Sequence, residues 1–294
     1  MPTPGERYPQ AGRRWGSGAM AVVVTAVVLL RTGAGAAAAL PKGTGFPPLA
    51  GVRATWEKWQ LRFEESLKQE PALVYSVPTR DKVVALTVDD GPDPRFTPAI
   101  LSVLERERVP ATFFVVGQNV AAHPDLVRRA VQDGCEVGNH TYSHPEMAGL
   151  TPEALTAEIA RDETEIVAAT GRHAVYFRPP KGYLDRRSFQ VIQDAGYRVI
   201  LWSVALEHHD LLTPAAMAER VFEKVEPGAI ILLHDGRIDR ALSVEALPLI
   251  IRGLRQRGYR FLTVSQLLEH GVPPARRVVN DAHPYHRWGS LSPR

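Results

Sequence analysis

From Lys82 onward, short apolar runs alternate with segments whose apolar residues recur at helical spacing. The runs Val83–Val88, Thr112–Val116, Cys135–Gly138, Val175–Phe177, Tyr197–Val204, Ala229–Leu233 and Arg260–Val264 predict strands. Between them the spacing predicts helices over Pro98–Arg108, Pro124–Asp133, Pro152–Thr170, Asp185–Ala195, Pro214–Val225 and Ser243–Arg257. Pro98, Pro124, Pro152 and Pro214 stand at or near helix starts, where a missing N–H costs nothing. Strand and helix in alternation imply a parallel sheet. Polar residues close most of the strands: Asp89-Asp90, Gly117-Gln118-Asn119, Asn139-His140, Arg178, Ser203 and His234-Asp235. A closed barrel gathers such ends on one rim, whereas an open sheet spreads them along a line. The pattern therefore favours an α/β fold, a distorted (β/α) barrel of about seven strands.

The flanks have a different character. Arg13-Arg14, the apolar run Ala19–Leu30 and the small-residue stretch Gly33–Leu40 have the three-part layout of an export signal over residues 1–40, with cleavage expected near Ala36–Ala39. The apolar run is shorter than the ~20 residues of a membrane span, but 18–40 reaches that length if Arg31 is tolerated, so a retained anchor is the alternative. The Arg13-Arg14 pair resembles a twin-arginine signal, although the Trp-Gly-Ser after it matches poorly. Either way the working domain is expected outside the cytoplasm, secreted or held at the cell envelope, with membrane contact confined to this segment. Residues 41–80 read as a Pro/Gly-rich linker and an amphipathic helix over Val52–Lys68. The main domain is expected over 81–270, and 271–294, with four prolines, as a flexible tail.

Charge and cysteine content narrow the classes. The net charge of +3 belongs to the leader, since Met1–Leu40 carries four Arg and one acid while the remaining 31 basic and 31 acidic residues balance. That excludes nucleic acid as the main partner. A single cysteine, Cys135, excludes an intramolecular disulfide, and its apolar setting predicts a buried structural thiol.

Chemistry concentrates at three distant stretches. In Leu86-Thr87-Val88-Asp89-Asp90-Gly91-Pro92 an apolar strand runs into two carboxylates and then a turn. One Asp is explained by capping the helix near Phe96-Thr97-Pro98; a pair is not. His140 and His144, four apart with room for about one helical turn, can aim both imidazoles one way. Two histidines and a carboxylate make a three-ligand set that leaves positions open on a metal. Leu232-Leu233-His234-Asp235-Gly236 adds a third polar strand end.

Taken in order, Thr87-Val88-Asp89-Asp90-Gly91-Pro92, Gly138-Asn139-His140-Thr141-Tyr142-Ser143-His144, Phe177-Arg178-Pro179-Pro180, Trp202-Ser203-Val204 and Leu232-Leu233-His234-Asp235 resemble the polysaccharide deacetylases, carbohydrate esterase family 4 with its NodB-homology domain, over Val74 to about Leu268. The resemblance implies a distorted (β/α) barrel that removes acetyl groups from N-acetylated sugars with one divalent metal. It implies that Asp90, His140 and His144 hold the metal, zinc by preference with cobalt or nickel also suited to the set. Asp89 is implied to be the general base on the activated water, with Arg178 paired to it, and His234 the general acid. Pro180, Lys181, Trp202 and Leu232 are assigned to the substrate, Lys181 through the main-chain N–H that meets the oxyanion and Leu232 at the acetyl methyl. The implied partner is an acetylated glycan polymer, peptidoglycan or chitin-like. O-deacetylation of xylan or small esters is the alternative, and a glycan-binding protein without turnover is the alternative of another class.

Two departures stand out. Lys181 takes the place where the family usually has Tyr, and Ala205 the place of an Asp implied to tune the catalytic histidine. Glu207 or Asp210 could replace that Asp, and Glu207, His208, His209 and Asp210 could alternatively hold a second metal.

Overall fold

The computed structural model describes residues 72–207 and 213–271. Within them, strands β1 (Leu73–Val74), β2 (Val83–Asp89), β3 (Thr112–Val115), β4 (Glu136–Asn139), β5 (Tyr176–Phe177), β6 (Arg198–Ile200), β7 (Val204–Ala205), β8 (Ile230–His234) and β9 (Arg260–Leu262) form one sheet. All their pairings are parallel, in the order β1-β6-β5-β4-β3-β2-β8-β7, with β9 also on β2. The two ends of this path meet, because the chain runs directly from β6 to β7 and Ser76 bridges Ala229 at the start of β8. The expected barrel is present, with a seam.

That seam splits a predicted element. Tyr197–Val204 was expected as one strand; here it is β6 and β7, parted at Leu201–Ser203. Leu201 N–H still donates to Val74 O (2.7 Å) on one side of the seam, and Ser203 N–H donates to Ile230 O (3.0 Å) on the other. The carbonyls of Ile200 and Leu201, at the break, accept from the Arg178 guanidinium. The sheet also takes in Leu73–Val74, upstream of the boundary expected at residue 81.

The six expected helices lie at Phe96–Glu107, Pro124–Gln132, Pro152–Thr170, Arg186–Asp194, Pro214–Lys224 and Ala241–Gln256. Side chains of Thr151, Asp185 and Thr213 cap three of them, each accepting the N–H three residues on, which satisfies a donor the helix leaves unpaired. Two helices were not anticipated. Gly117–Ala122 is too short to show a period, and Val264–Gly271 begins where the strand Arg260–Val264 was expected to end. The export segment, the Val52–Lys68 helix, the tail and residues 208–212 lie outside the described residues. Among the described residues, no helix is long and apolar enough to cross a membrane.

Along β2 burial alternates between two layers. Val83 and Ala85 join the inner cluster with Phe114, Ile200 and Ile230, closed below by Val264 and Leu267. Val84, Leu86 and Val88 join the outer cluster beneath the helices. A strand covered on both faces is apolar throughout, as this one is until Asp89. Gly228 fixes the lower closure: it has φ +81°, and a Cβ there would lie 1.7 Å from Val77 O. Gly228→Ala is expected to cost roughly 2–3 kcal/mol and to lower Tm by roughly 5–10 °C, measured by calorimetry. An unchanged Tm would show that the Val77 contact does not close the barrel.

Candidate active site

At Asp90 the backbone enters the left-handed region, with φ 77°. In a continuing strand Asp89 and Asp90 would face opposite sides; this change of direction brings both carboxylates to one pocket on the rim. The next residue must be glycine, since a Cβ at Gly91 would lie 2.3 Å from the Asp235 carboxylate oxygens.

Beneath the pocket Arg178 is fully buried. It donates from Nη1 to Asp89 Oδ1 (2.6 Å) and Thr87 Oγ1 (2.8 Å), from Nε to Ile200 O (2.9 Å) and from Nη2 to Leu201 O (3.0 Å). Its face covers the Phe114 ring, 4.1 Å from the centroid. Burial pulls the guanidinium pKa down and the Asp89 charge opposes that, so the group remains a cation.

The segment 140–144 is not the expected helical turn. Thr141 (φ 69°) and His144 (φ 53°) are left-handed, and the helix Pro152–Thr170 supplies partners that a turn would have supplied internally. Asn139 Nδ2 donates to Ile159 O (3.0 Å), His140 N–H to Asp162 Oδ2 (2.9 Å), Tyr142 N–H to Glu158 O (3.1 Å) and Ser143 N–H to Glu158 Oε2 (2.8 Å). Positions 158, 159 and 162 share one helix face, which splints the loop from outside. Within the loop, Thr141 N–H donates to Asn139 Oδ1 at 3.0 Å. The two imidazoles still meet, with ring centroids 4.9 Å apart.

One ligand atom from each of Asp90, His140 and His144 lies within 4.8 Å of the others. Asp90 Oδ1 is 3.6 Å from His140 Nε2 and 3.1 Å from His144 Nε2. A tetrahedral site with arms of about 2.1 Å has edges of about 3.4 Å, so one oxygen and two nitrogens at this spacing suit a divalent cation. His140 is oriented for it, because Nδ1–H donates to Arg178 O at 2.6 Å and Nε2 keeps its lone pair. Burial pushes the Asp90 carboxyl up, but with the imidazoles protonated and no cation between them the hydrogen bonds of His140 and His144 and the charges of His140 and His234 outweigh it and hold it well below the usual carboxylate range.

His234 faces the same pocket from the end of β8. Its Nδ1–H donates to Glu207 Oε2 at 2.5 Å, and Ser243 Oγ donates to Glu207 Oε1 at 2.7 Å. Glu207 thus stands where the aspartate absent at Ala205 was implied to act. Burial pulls the His234 imidazole down; the hydrogen bond and charge of Glu207, with Asp89 and Asp90, lift it above its ordinary value. Both Glu207 oxygens are engaged at His234, Ser243 and Arg240, which does not fit a second metal there. Burial and the charges of Asp90 and Asp89, offset in part by the Thr97 hydrogen bond, push the Asp235 carboxyl up to about 7.

Lys181 and Trp202 line the pocket; Pro180 starts the turn that carries Lys181. Leu232 lies one layer down on the same side of β8 as His234 and does not line the pocket. The sequence did not point to Asp162, Glu158 or Arg237. The two acids resemble others on a charged helix, and Arg237 sits next to a motif without belonging to it.

A family model described as polysaccharide deacetylase matches residues 76–200. The chain is also 37% identical over 212 residues to a peptidoglycan-N-acetylglucosamine deacetylase of Bacillus cereus, a match spanning 71% of this chain and 99% of the relative. The chain belongs to the polysaccharide deacetylase family. It is 31% identical to the peptidoglycan-N-acetylmuramic acid deacetylase PdaA of Bacillus subtilis, over 85% of this chain and 95% of that one. Among solved structures, the Bc1960 peptidoglycan N-acetylglucosamine deacetylase superposes with TM-score 0.67 at 32% identity, covering 69% of this chain and 96% of that one. A carbohydrate esterase family 4 pseudoenzyme of Bacillus anthracis does so with TM-score 0.63 at 30% identity, covering 68% and 70%. This deacetylase-family chain is accordingly a hydrolase with a parallel barrel of the same type.

The splinting helix has a measurable consequence. Asn139→Ala leaves the buried Thr141 N–H without its acceptor, at a cost of about 1–3 kcal/mol, and is expected to lower cation affinity at least about tenfold by chelator competition. Wild-type affinity in this variant would show that the splint does not set the imidazole geometry.

Proposed function

We propose that the protein is an exported, metal-dependent deacetylase that hydrolyses the N-acetyl group of an N-acetylglucosamine-type amino sugar in a peptidoglycan- or chitin-like polysaccharide. The observation that carries this reading is the pocket itself: a three-ligand set, a carboxylate base and an imidazole acid converge on one rim. Export is supported by Arg13-Arg14 and the apolar run Ala19–Leu30.

Asp90, His140 and His144 would hold a divalent cation, zinc, cobalt and nickel all suiting the donors, and it would supply Lewis acidity for the acetyl carbonyl and for water, enough for a carboxylate base to serve near neutrality. Asp89, kept ionised and aimed by Arg178, accepts the proton of the attacking water. The Lys181 main-chain N–H meets the developing oxyanion. His234 delivers a proton to the departing nitrogen, since an amine anion cannot leave. Trp202 forms an apolar wall of the pocket. With base, acid and ligand set complete, the arrangement supports turnover over glycan binding alone.

Acetate release from N-acetylchitooligosaccharide and from peptidoglycan is expected to stop on chelation and to return with added zinc or cobalt. Asp89→Asn is expected to lower kcat about 10²–10⁴-fold while the cation stays bound. Release that survives Asp89→Asn would reject the base, and faster release from acetylated xylan than from either glycan would replace N- with O-deacetylation.

The acid has its own signature. His234 works protonated, and its raised pKa extends that form to higher pH, so activity falls as pH rises through it. Glu207→Gln removes the charge that lifts it. The alkaline limb of kcat is then expected to move down by about one pH unit, corresponding to about 1.4 kcal/mol of lost interaction. An unmoved limb would show that Glu207 does not tune the acid.

A further inference from the structure

One largely buried cation has no part in the chemistry above. Arg240 immediately precedes the helix Ala241–Gln256, and its side chain is 11% exposed. Nε donates to Gly236 O at 3.1 Å, and Nη1 lies 3.7 Å from Glu207 Oε1. Glu207 is itself fixed, since the same oxygen accepts from His234 N–H (3.1 Å) and Ser243 Oγ (2.7 Å). Gly236 follows the Asp90 backbone so closely that a Cβ there would lie 2.5 Å from Asp90 O. With two of its nitrogens placed by these neighbours, the guanidinium presents the third, Nη2, to Asp90 Oδ2 at 3.7 Å.

The two oxygens of Asp90 therefore face different partners. Oδ1 looks toward the imidazoles, 3.6 Å from His140 Nε2 and 3.1 Å from His144 Nε2, and Oδ2 looks toward the guanidinium. A carboxylate can grip a cation with one oxygen or with both. The two-oxygen grip occupies a position that a catalytic site leaves open for water and substrate. A guanidinium beside Oδ2 attracts that oxygen and repels an incoming cation, and at a site this buried solvent screens neither force much.

We infer that Arg240 is a positioning residue that keeps Asp90 a one-oxygen ligand: it holds Oδ2 aside, so a bound cation retains open positions for water and for the acetyl oxygen. This rests on the deacetylase reading of the same site. Removal of the guanidinium frees Oδ2 to join Oδ1, and the site then holds its cation at least as firmly but turns over more slowly. An ion pair that merely braced the fold would have the opposite effect on the cation, since loss of a brace loosens the ligands it supports.

The test compares the wild type with Arg240→Gln and Arg240→Met, each long enough to fill the space and neither charged. Cobalt affinity is measured by chelator competition, the ligating atoms by crystal structures of the cobalt-loaded proteins, and turnover by acetate release from N-acetylchitooligosaccharide. The wild type is expected to bind cobalt through Oδ1 alone and both variants through Oδ1 and Oδ2, with affinity equal to or above the wild type and kcat lower by at least about tenfold. Arg240→Lys, which returns a charge opposite Oδ2, is expected to restore the one-oxygen grip and most of the rate. Two-oxygen binding in the wild type, one-oxygen binding in both variants, or affinity that falls in both overturns the inference. The cobalt measurements need no substrate. The expected switch of ligation without acetate release from the wild type keeps the role of Arg240 and rejects the deacetylase reading; release from the wild type with no switch does the reverse.

Discussion

A guanidinium with no exposure, pinned at the centre of the barrel, is the constraint on which the rest of the molecule turns. Burying an ion costs several kcal/mol unless its hydrogen bonds are met, and breaking such a pair costs about 3–5 kcal/mol. Arg178 meets the requirement with Asp89, Thr87 and two main-chain carbonyls. Each partner has a second duty. Asp89 is the proposed base, the Ile200 and Leu201 carbonyls mark the seam, and Arg178's own carbonyl sets the tautomer of His140. One side chain thus couples the base, a cation ligand and the closure of the sheet.

Strain collects around this centre. Of the six non-glycine residues with positive φ among the described residues, Asp90, Thr141, His144, Lys181 and Arg237 stand at the rim. Left-handed backbone at such residues costs of order 1–3 kcal/mol each and persists only where the surroundings dictate it. Here the surroundings are strands apolar on both faces below, and the face of Pro152–Thr170 beside the histidine loop. Rigid layers below permit an awkward backbone above, and that backbone turns adjacent side chains toward one point.

Most of the barrel was legible because strands covered on both sides are continuously apolar and end abruptly in polar residues, as Val83–Asp89 does. The candidate ligands and proposed proton carriers were legible for the same reason: Asp89, Asp90, His140, Arg178 and His234 interrupt or end apolar strands where burial of a polar group needs a cause. Legibility failed where tertiary partners override local pattern. Tyr197–Val204 has the composition of one strand, but its N–H groups go to different neighbours on the two sides of Leu201–Ser203, where a guanidinium from elsewhere takes two carbonyls. The spacing of His140 and His144 fits a helical turn, but hydrogen bonds to Glu158, Ile159 and Asp162 hold an irregular loop. Glu207 was one of two candidates that spacing could not rank, because reach across the pocket depends on where the seam leaves the chain.

The seam also bears on kinship. The companion of the proposed acid, Glu207, hangs from a stretch fixed in space by the break after Ile200 and the pairing of Val204–Ala205 with β8, so a carboxylate can move along the chain without moving in the fold. A glutamate two residues late, with one more methylene, arrives where an aspartate on the strand would have been. Column-by-column genealogies of this lineage would file the Ala205 change as a lesion, when the fold has merely rerouted the same contact.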